Sequence, residues 1–187
     1  ATALERYTRR RAPPCGKIRC VSVPHSIVPA TVPIPAEQPR FRLGRTPVSN
    51  AEYESFLSAC PDVVVPPWWK DPAFSSPRQP VVGVTWDEAA AFCDWLTTAA
   101  GGKWRLPSEA EWEFAMSGGF PSPRTPWGDE VPPGEIPEGP LAAPWETGRG
   151  TPNPYGVLDP GTVVHEWCLD WREPEGAPGV PRRASRG

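Results

Sequence analysis

Along the chain the apolar positions change period several times, and each change marks an element. Tyr53, Phe56, Leu57 and Cys60 recur at helical spacing, as do Trp86, Ala89, Phe92, Cys93 and Leu96. The spacing predicts two helices, each with a core face and a wet face. Ahead of each stands a hydroxyl residue with a glutamate three positions on: Ser49 with Glu52, and Thr85 with Glu88. A third pair, Ser108 with Glu111, predicts a third helix start. In such a capping box the hydroxyl accepts from a backbone N–H of the first turn, and the glutamate accepts from the cap's own N–H. The segments PVVGVTW and KWRL predict short buried strands, whereas VVHEWCLDW alternates strictly. Val163, His165, Trp167, Leu169 and Trp171 share one face of that strand; Val164, Glu166, Cys168 and Asp170 share the other. The apolar face predicts a buried Trp167 and a hydrogen-bonded core histidine at 165. Glu166 then lies inside a small sheet, where an unpaired carboxylate is costly, so Arg105 or Arg186 is its expected partner.

Two zones frame these elements. Residues 1–39 hold a proline every few positions, which suits an edge strand or a strap over a core and excludes a helix. Residues 40–187 form the folded domain. Within it the stretch from Ser117 to Pro160 is mostly Gly, Pro and charge, with Trp127, Trp145 and Tyr155 as its large anchors. A loop of that length in a compact domain is packed by its own aromatic side chains and is often functional.

Composition narrows the class. A chain of 187 residues fits one domain with an appended arm. The 29 prolines and 17 glycines approach the content of disordered chains, but ten tryptophans contradict that reading. A net charge of -3 gives no reason to expect a nucleic-acid partner; the basic cluster Arg6, Arg9, Arg10 and Arg11 is local. No apolar run reaches the length of a membrane span and the first residues lack a secretion signal, so a cytoplasmic address is expected. Five cysteines, an odd and scattered set, are read as free thiols. Two Asn, two Gln and proline-rich loops suit a heat-resistant protein.

Candidate chemistry is sparse. His165-Glu166 begins a zinc-protease pattern, but Leu169 stands where the second His is needed. Glu109, Glu111 and Glu113 resemble paired carboxylates, yet Glu111 is accounted for by its capping box and Glu113 points elsewhere on the helix. Cys168 between Glu166 and Asp170 would have a raised thiol pKa and makes a poor nucleophile. Adjacent Trp68 and Trp69 in PPWWKDPAF cannot both point inward, so one stays near the surface as a rigid anchor. Trp68, Trp69 and Trp145 are the ligand-contact candidates; Arg105, Glu111, Glu166, Trp167 and Arg186 are read as structural. No catalytic or metal-binding residue is assigned.

Six motifs occur in one order: GVTWDEAAAFCDWL, KWRLPSEAEWEFAMSGG, PWGDE, NPYGVLD, EWCLDW and RASRG. In order and spacing they resemble the formylglycine-generating enzyme, or sulfatase-modifying factor, family, over roughly Phe41 to Gly187. The resemblance implies an α+β variant of the C-type-lectin fold, poor in regular secondary structure, with short antiparallel strands and two to three helices. It also implies that catalytic members bind copper through a cysteine pair shortly after an Arg-Gly-Gly-Ser-Trp strand and convert a cysteine in a Cys-x-Pro-x-Arg peptide. The sequence given reaches only Arg186-Gly187 of that strand, so no cofactor is expected from these residues, and copper only with a cysteine pair further on. Cys15 and Cys20 share the pair's spacing, but only a permuted topology would make them equivalent. Calcium-binding members resemble DPGTVVHE with Asn where Val163 stands. Glu166 remains, while Val163 offers no side-chain oxygen, so a calcium site would lean on backbone carbonyls. The lineage also includes diversified binding proteins of retroelements. The expected function is therefore a ligand-binding or display domain, with a copper-dependent formylglycine-generating oxidoreductase as the alternative.

Overall fold

All three capping boxes form. In the computed structural model, which describes residues 28–35, 37, 40–121, 123–139, 141–172 and 181–187, they open helices α1 (Asn50–Ala59), α2 (Trp86–Ala99) and α3 (Glu109–Met116). The carboxylates of Glu52, Glu88 and Glu111 accept from the cap N–H groups of Ser49, Thr85 and Ser108 at 2.7, 2.7 and 2.8 Å. Each cap contributes about 1 kcal/mol to its helix start. Most of the proline-rich arm, with Cys15, Cys20 and the arginine cluster, lies outside the described residues.

The strands are short and make two antiparallel ribbons. Strand β1 (Thr31–Ile34) pairs with β2 (Phe41–Gly44), and β3 (Glu166–Arg172) pairs with β4 (Arg182–Arg186). The molecule is thus α+β, with three helices and short antiparallel strands. PVVGVTW and KWRL are not strands: only Pro80 makes an isolated bridge, to Ser49. Their backbone groups are satisfied locally instead, Val81 N–H donating to Val48 C=O at 2.9 Å and Trp104 N–H to the Thr97 hydroxyl at 2.9 Å.

Two apolar clusters carry the core. Helices α1 and α2 enclose Tyr53, Phe56, Cys60, Val63, Phe92, Trp95 and Leu96. Phe56 meets Phe92 and Trp95 with ring centroids 5.7 Å from each. Trp95, absent from the helical face read from the sequence, is only 1% exposed. The second cluster joins α3 to both ribbons through Ile34, Trp112, Ala115, Met116, Val157, Cys168 and Ala184. The long stretch after α3 is pinned onto this cluster by Tyr155, whose ring lies 5.7 Å from that of Phe114, and by polar groups. Buried Asn153 donates to Ala115 C=O at 2.8 Å and accepts from the N–H groups of Tyr155 and Val157. Asp159, at φ 53, accepts from Gly148 N–H at 2.5 Å. Gly161 (φ 68) is pressed against Trp112, where an added Cβ would come 2.8 Å from the ring.

The faces of β3 are the reverse of those expected. Cys168 is fully buried against α3, Trp167 is half-buried, His165 is exposed and precedes the strand, and Trp171 is 59% exposed. Two causes act together. Both faces of β3 are covered, one by α3 and the other by the start of α2, so alternation does not separate core from solvent. The register also shifts between Trp167 and Trp171, which breaks the alternation.

Candidate binding cleft

A cleft of about 210 Å³ opens where the two clusters meet. Its apolar lining is drawn from Leu43 of β2, Tyr53 of α1, Phe92 and Leu96 of α2, Trp104, and Trp167 of β3. Long-range bonds hold these segments in place. Trp167 Nε1 donates to Val84 C=O at 3.0 Å, and Trp86 Nε1 donates to Cys168 C=O at 2.7 Å. Leu169 N–H donates to Pro107 C=O at 2.9 Å, laying the 104–107 segment along β3. Glu109 N–H, at the start of α3, donates to the Asp170 carboxylate at 2.6 Å.

The polar groups at the cleft are few. Arg42 is tied to Thr31, its Nε donating to the hydroxyl at 2.7 Å. Arg105 forms a two-pronged pair with Glu111, at 2.6 and 2.7 Å. That guanidinium, first of all, holds the Glu111 carboxyl down to about 2, helped by the Ser108 N–H and opposed by partial burial. His165 lines the cleft as an exposed side chain rather than a core histidine. Glu166 accepts from Trp112 Nε1 at 3.2 Å, not from an arginine. Burial pushes its carboxyl up to about 7; the indole hydrogen bond opposes this and Asp159 adds to it. The two expected partners are engaged elsewhere. Arg105 is on Glu111, and Arg186 lies against Glu109 at 2.8 Å and against Glu113. Arg172 joins Glu109 as well, at 2.7 Å, so two carboxylates of α3, Glu109 and Glu113, serve an ionic lattice on the β3–β4 ribbon, while Glu111 serves Arg105. Arg183 adds a stack, its guanidinium carbon 3.4 Å from the Trp86 ring and 3.9 Å from the Trp171 ring.

The three described thiols form no disulfide with one another. Burial raises Cys93 to about 12, with Asp94 adding, and raises Cys168 to about 12, with Glu109, Glu166 and Asp170 adding. Cys60 is buried in the first cluster. The Cys93 and Cys168 thiols, so far from ionisation at neutral pH, are poor nucleophiles. Among the described residues no group of three or more His, Cys, Asp or Glu is placed to hold a metal ion. No helix of the described residues is long and apolar enough to cross a membrane.

The three tryptophans singled out for ligand contact lie outside the cleft lining. Trp68 is 49% exposed and tilts over Phe74 at 5.8 Å, whereas Trp69 packs onto the α1–α2 cluster. Trp145 is half-buried under Arg149, whose guanidinium carbon lies 3.9 Å from its ring. The cleft itself went unread because its residues come from positions 29 to 167 and no short motif contains them.

Comparison with known proteins adds a family. Residues 29–187 match the family model described as the sulfatase-modifying factor enzyme 1-like domain. The chain is 36% identical over 141 residues to the formylglycine-generating enzyme of Thermomonospora curvata, covering 59% of this chain and 45% of that protein. It is 30% identical over 192 residues to the formylglycine-generating enzyme of Streptomyces coelicolor, covering 72% and 59%. It is also 34% identical over 128 residues to the inactive C-alpha-formylglycine-generating enzyme 2 of Mus musculus, covering 58% and 40%. The alignments thus span about half the length of these relatives.

Proposed function

Because the chain belongs to the sulfatase-modifying factor enzyme 1-like family, we propose that its described residues form a ligand-binding scaffold, a C-type-lectin-like variant, whose cleft takes an extended and largely apolar stretch of polypeptide. The cleft carries this reading. At about 210 Å³ it is smaller than the roughly 300–1,000 Å³ of small-molecule and cofactor pockets, and it suits a few side chains of a strand. Its Trp167 wall is fixed by the indole bond to Val84 C=O, so little ordering is needed there on binding. Arg105 and His165 supply the polar rim. Exposed Trp68 and the Trp145–Arg149 stack are secondary anchors in this reading.

A displayed peptide library tests it. Peptides selected on the intact chain should share an alternating apolar pattern and lose binding when Ala89→Arg fills the cleft from α2. Selection that is indifferent to Ala89→Arg, in a variant with an unchanged melting curve, would move the binding surface elsewhere.

A second reading, a copper-dependent formylglycine-generating oxidoreductase acting on a protein cysteine, is favoured by the similarity to two formylglycine-generating enzymes. It requires thiols other than Cys60, Cys93 and Cys168. The name of the mouse relative shows that similarity to this family accompanies inactive proteins too. A retroelement-diversified binder remains a special case of the first reading, to be tested by comparing codon variability among sister genes.

A further inference from the structure

A second concavity, of about 460 Å³, lies away from the cleft on the long stretch after α3. Trp127 and Val131 line it together with Pro132, Pro133, Pro152 and Pro154. Its walls are held rigidly. Trp127 Nε1 donates to Thr151 C=O at 2.8 Å, which fixes the ring, and Glu135 accepts from Thr151 N–H at 2.6 Å, which ties the two walls together. Thr125 and Gly128 exchange two backbone hydrogen bonds at 3.0 Å, closing the turn that presents the indole.

The chemistry of this groove is selective. Its four prolines have no N–H to offer, so a ligand whose backbone demands many hydrogen-bond partners would leave them unpaired. A proline-rich segment in the left-handed extended helix makes little such demand. It packs its rings against an indole and loses little entropy on binding. Glu130 lines the groove and Asp129 precedes it in the chain, both exposed and without an ion-pair partner among the described residues, so this end of the groove calls for cations. Arg124 is the one cation within the same turn.

One segment of this chain has that composition. Arg9-Arg10-Arg11-Ala12-Pro13-Pro14 carries three guanidinium groups followed by two prolines and lies outside the described residues. The 13 residues from Cys15 to Ile27 can span about 43 Å when extended, at roughly 3.3 Å each, which reaches across a domain of this size. We propose that the Trp127 groove is a docking site for the proline-rich basic segment Arg9–Pro14 of the same chain, with Pro13 and Pro14 on the indole and the arginines toward Asp129 and Glu130. This is independent of what the cleft binds.

Cys15 follows Pro14 directly and serves as the reporter. In the intact chain carrying Thr151→Cys, mild oxidation with diamide, which takes up the two electrons and two protons of the thiol pair, should join Cys15 to the thiol placed at position 151. Tryptic mass spectrometry reads the linked peptide. The rate should exceed that of the Ser58→Cys control by about tenfold, as expected of an elevated local concentration. Because charge steers the docking, it should fall about threefold or more in 1 M salt or with Glu130→Arg. Trp127→Ala should lower it as well; Glu130→Arg covers the case in which that variant fails to fold. Equal rates at positions 151 and 58, insensitivity to Glu130→Arg, or a link that forms only between molecules in an isotope-mixed sample would each overturn the proposal.

Discussion

Replacing Glu111 by Gln removes one charge while leaving a side chain that can still accept from the Ser108 N–H. The difference therefore isolates the pairing with Arg105. In the native fold that carboxyl titrates at about 2, against an ordinary 4.5. That lowering corresponds to about 3 kcal/mol at most, at roughly 1.4 kcal/mol for each tenfold change in acidity. The side chains of Arg105 and Glu111 are 42% and 23% exposed, so solvent screening brings the expected effect down to about 1–2 kcal/mol. The pH dependence has a definite sign. A lowered carboxyl pKa contributes stability that is fully present above about 4.5 and is lost as the pH falls through about 2. Urea melts of the parent and Glu111→Gln should thus differ by about 1–2 kcal/mol at pH 7, and by progressively less from pH 4.5 downward. Arg105→Ala should abolish most of the difference in a double-mutant cycle. Equal midpoints at pH 7, or a gap that persists unchanged at pH 3, would refute the reasoning.

The other expectations can be checked with the same melts and a calorimeter. Trp95→Ala should cost about 3–5 kcal/mol, the range for a fully buried aromatic, and Trp167→Ala distinctly less because that ring faces the open cleft; equal losses would contradict the burial pattern. Glu166 has a raised carboxyl, so its contribution is complete below pH 4.5 and is lost as the pH rises through about 7. In chelator-containing buffer Glu166→Gln should be the more stable protein at pH 8, by about 1–3 kcal/mol, and should flatten the slope between pH 5 and 7.5; parallel profiles would remove the case for a buried ionisable Glu166. Chelator should shift the thermal midpoint of the parent little. A fall of about ten degrees, well beyond what 1 kcal/mol produces in a domain this size, would mean that a cation binds despite Val163.

What could be read in advance followed how local the cause is. A capping box is complete within four residues, and all three appear where Ser49, Thr85 and Ser108 announce them. The aromatic face of α1 is equally local. Strand polarity is not local: whether Cys168 or Trp167 is buried depends on α3 arriving over one side of β3 while the start of α2 covers the other. The segments around Val81 and Leu106 look like strands because they are apolar and bounded by turns. They lie instead as single lengths of chain whose N–H and C=O groups are claimed by Val48, Thr97 and Leu169. Ion pairing was the least legible. Arg186 passes over Glu166, its neighbour across the β3–β4 ribbon, and takes the two carboxylates that α3 presents.

The division between a binding scaffold and an oxidoreductase rests on whether this chain has a reactive thiol pair. The direct measurement incubates it with a Cys-x-Pro-x-Arg peptide in oxygenated buffer, with and without copper, and follows the peptide by mass spectrometry. The raised thiols of Cys93 and Cys168 and the burial of Cys60 predict that the peptide cysteine persists unchanged. Oxygen-dependent appearance of formylglycine, lost on replacing Cys15 or Cys20 by Ser, would contradict this and place the chemistry in the arm.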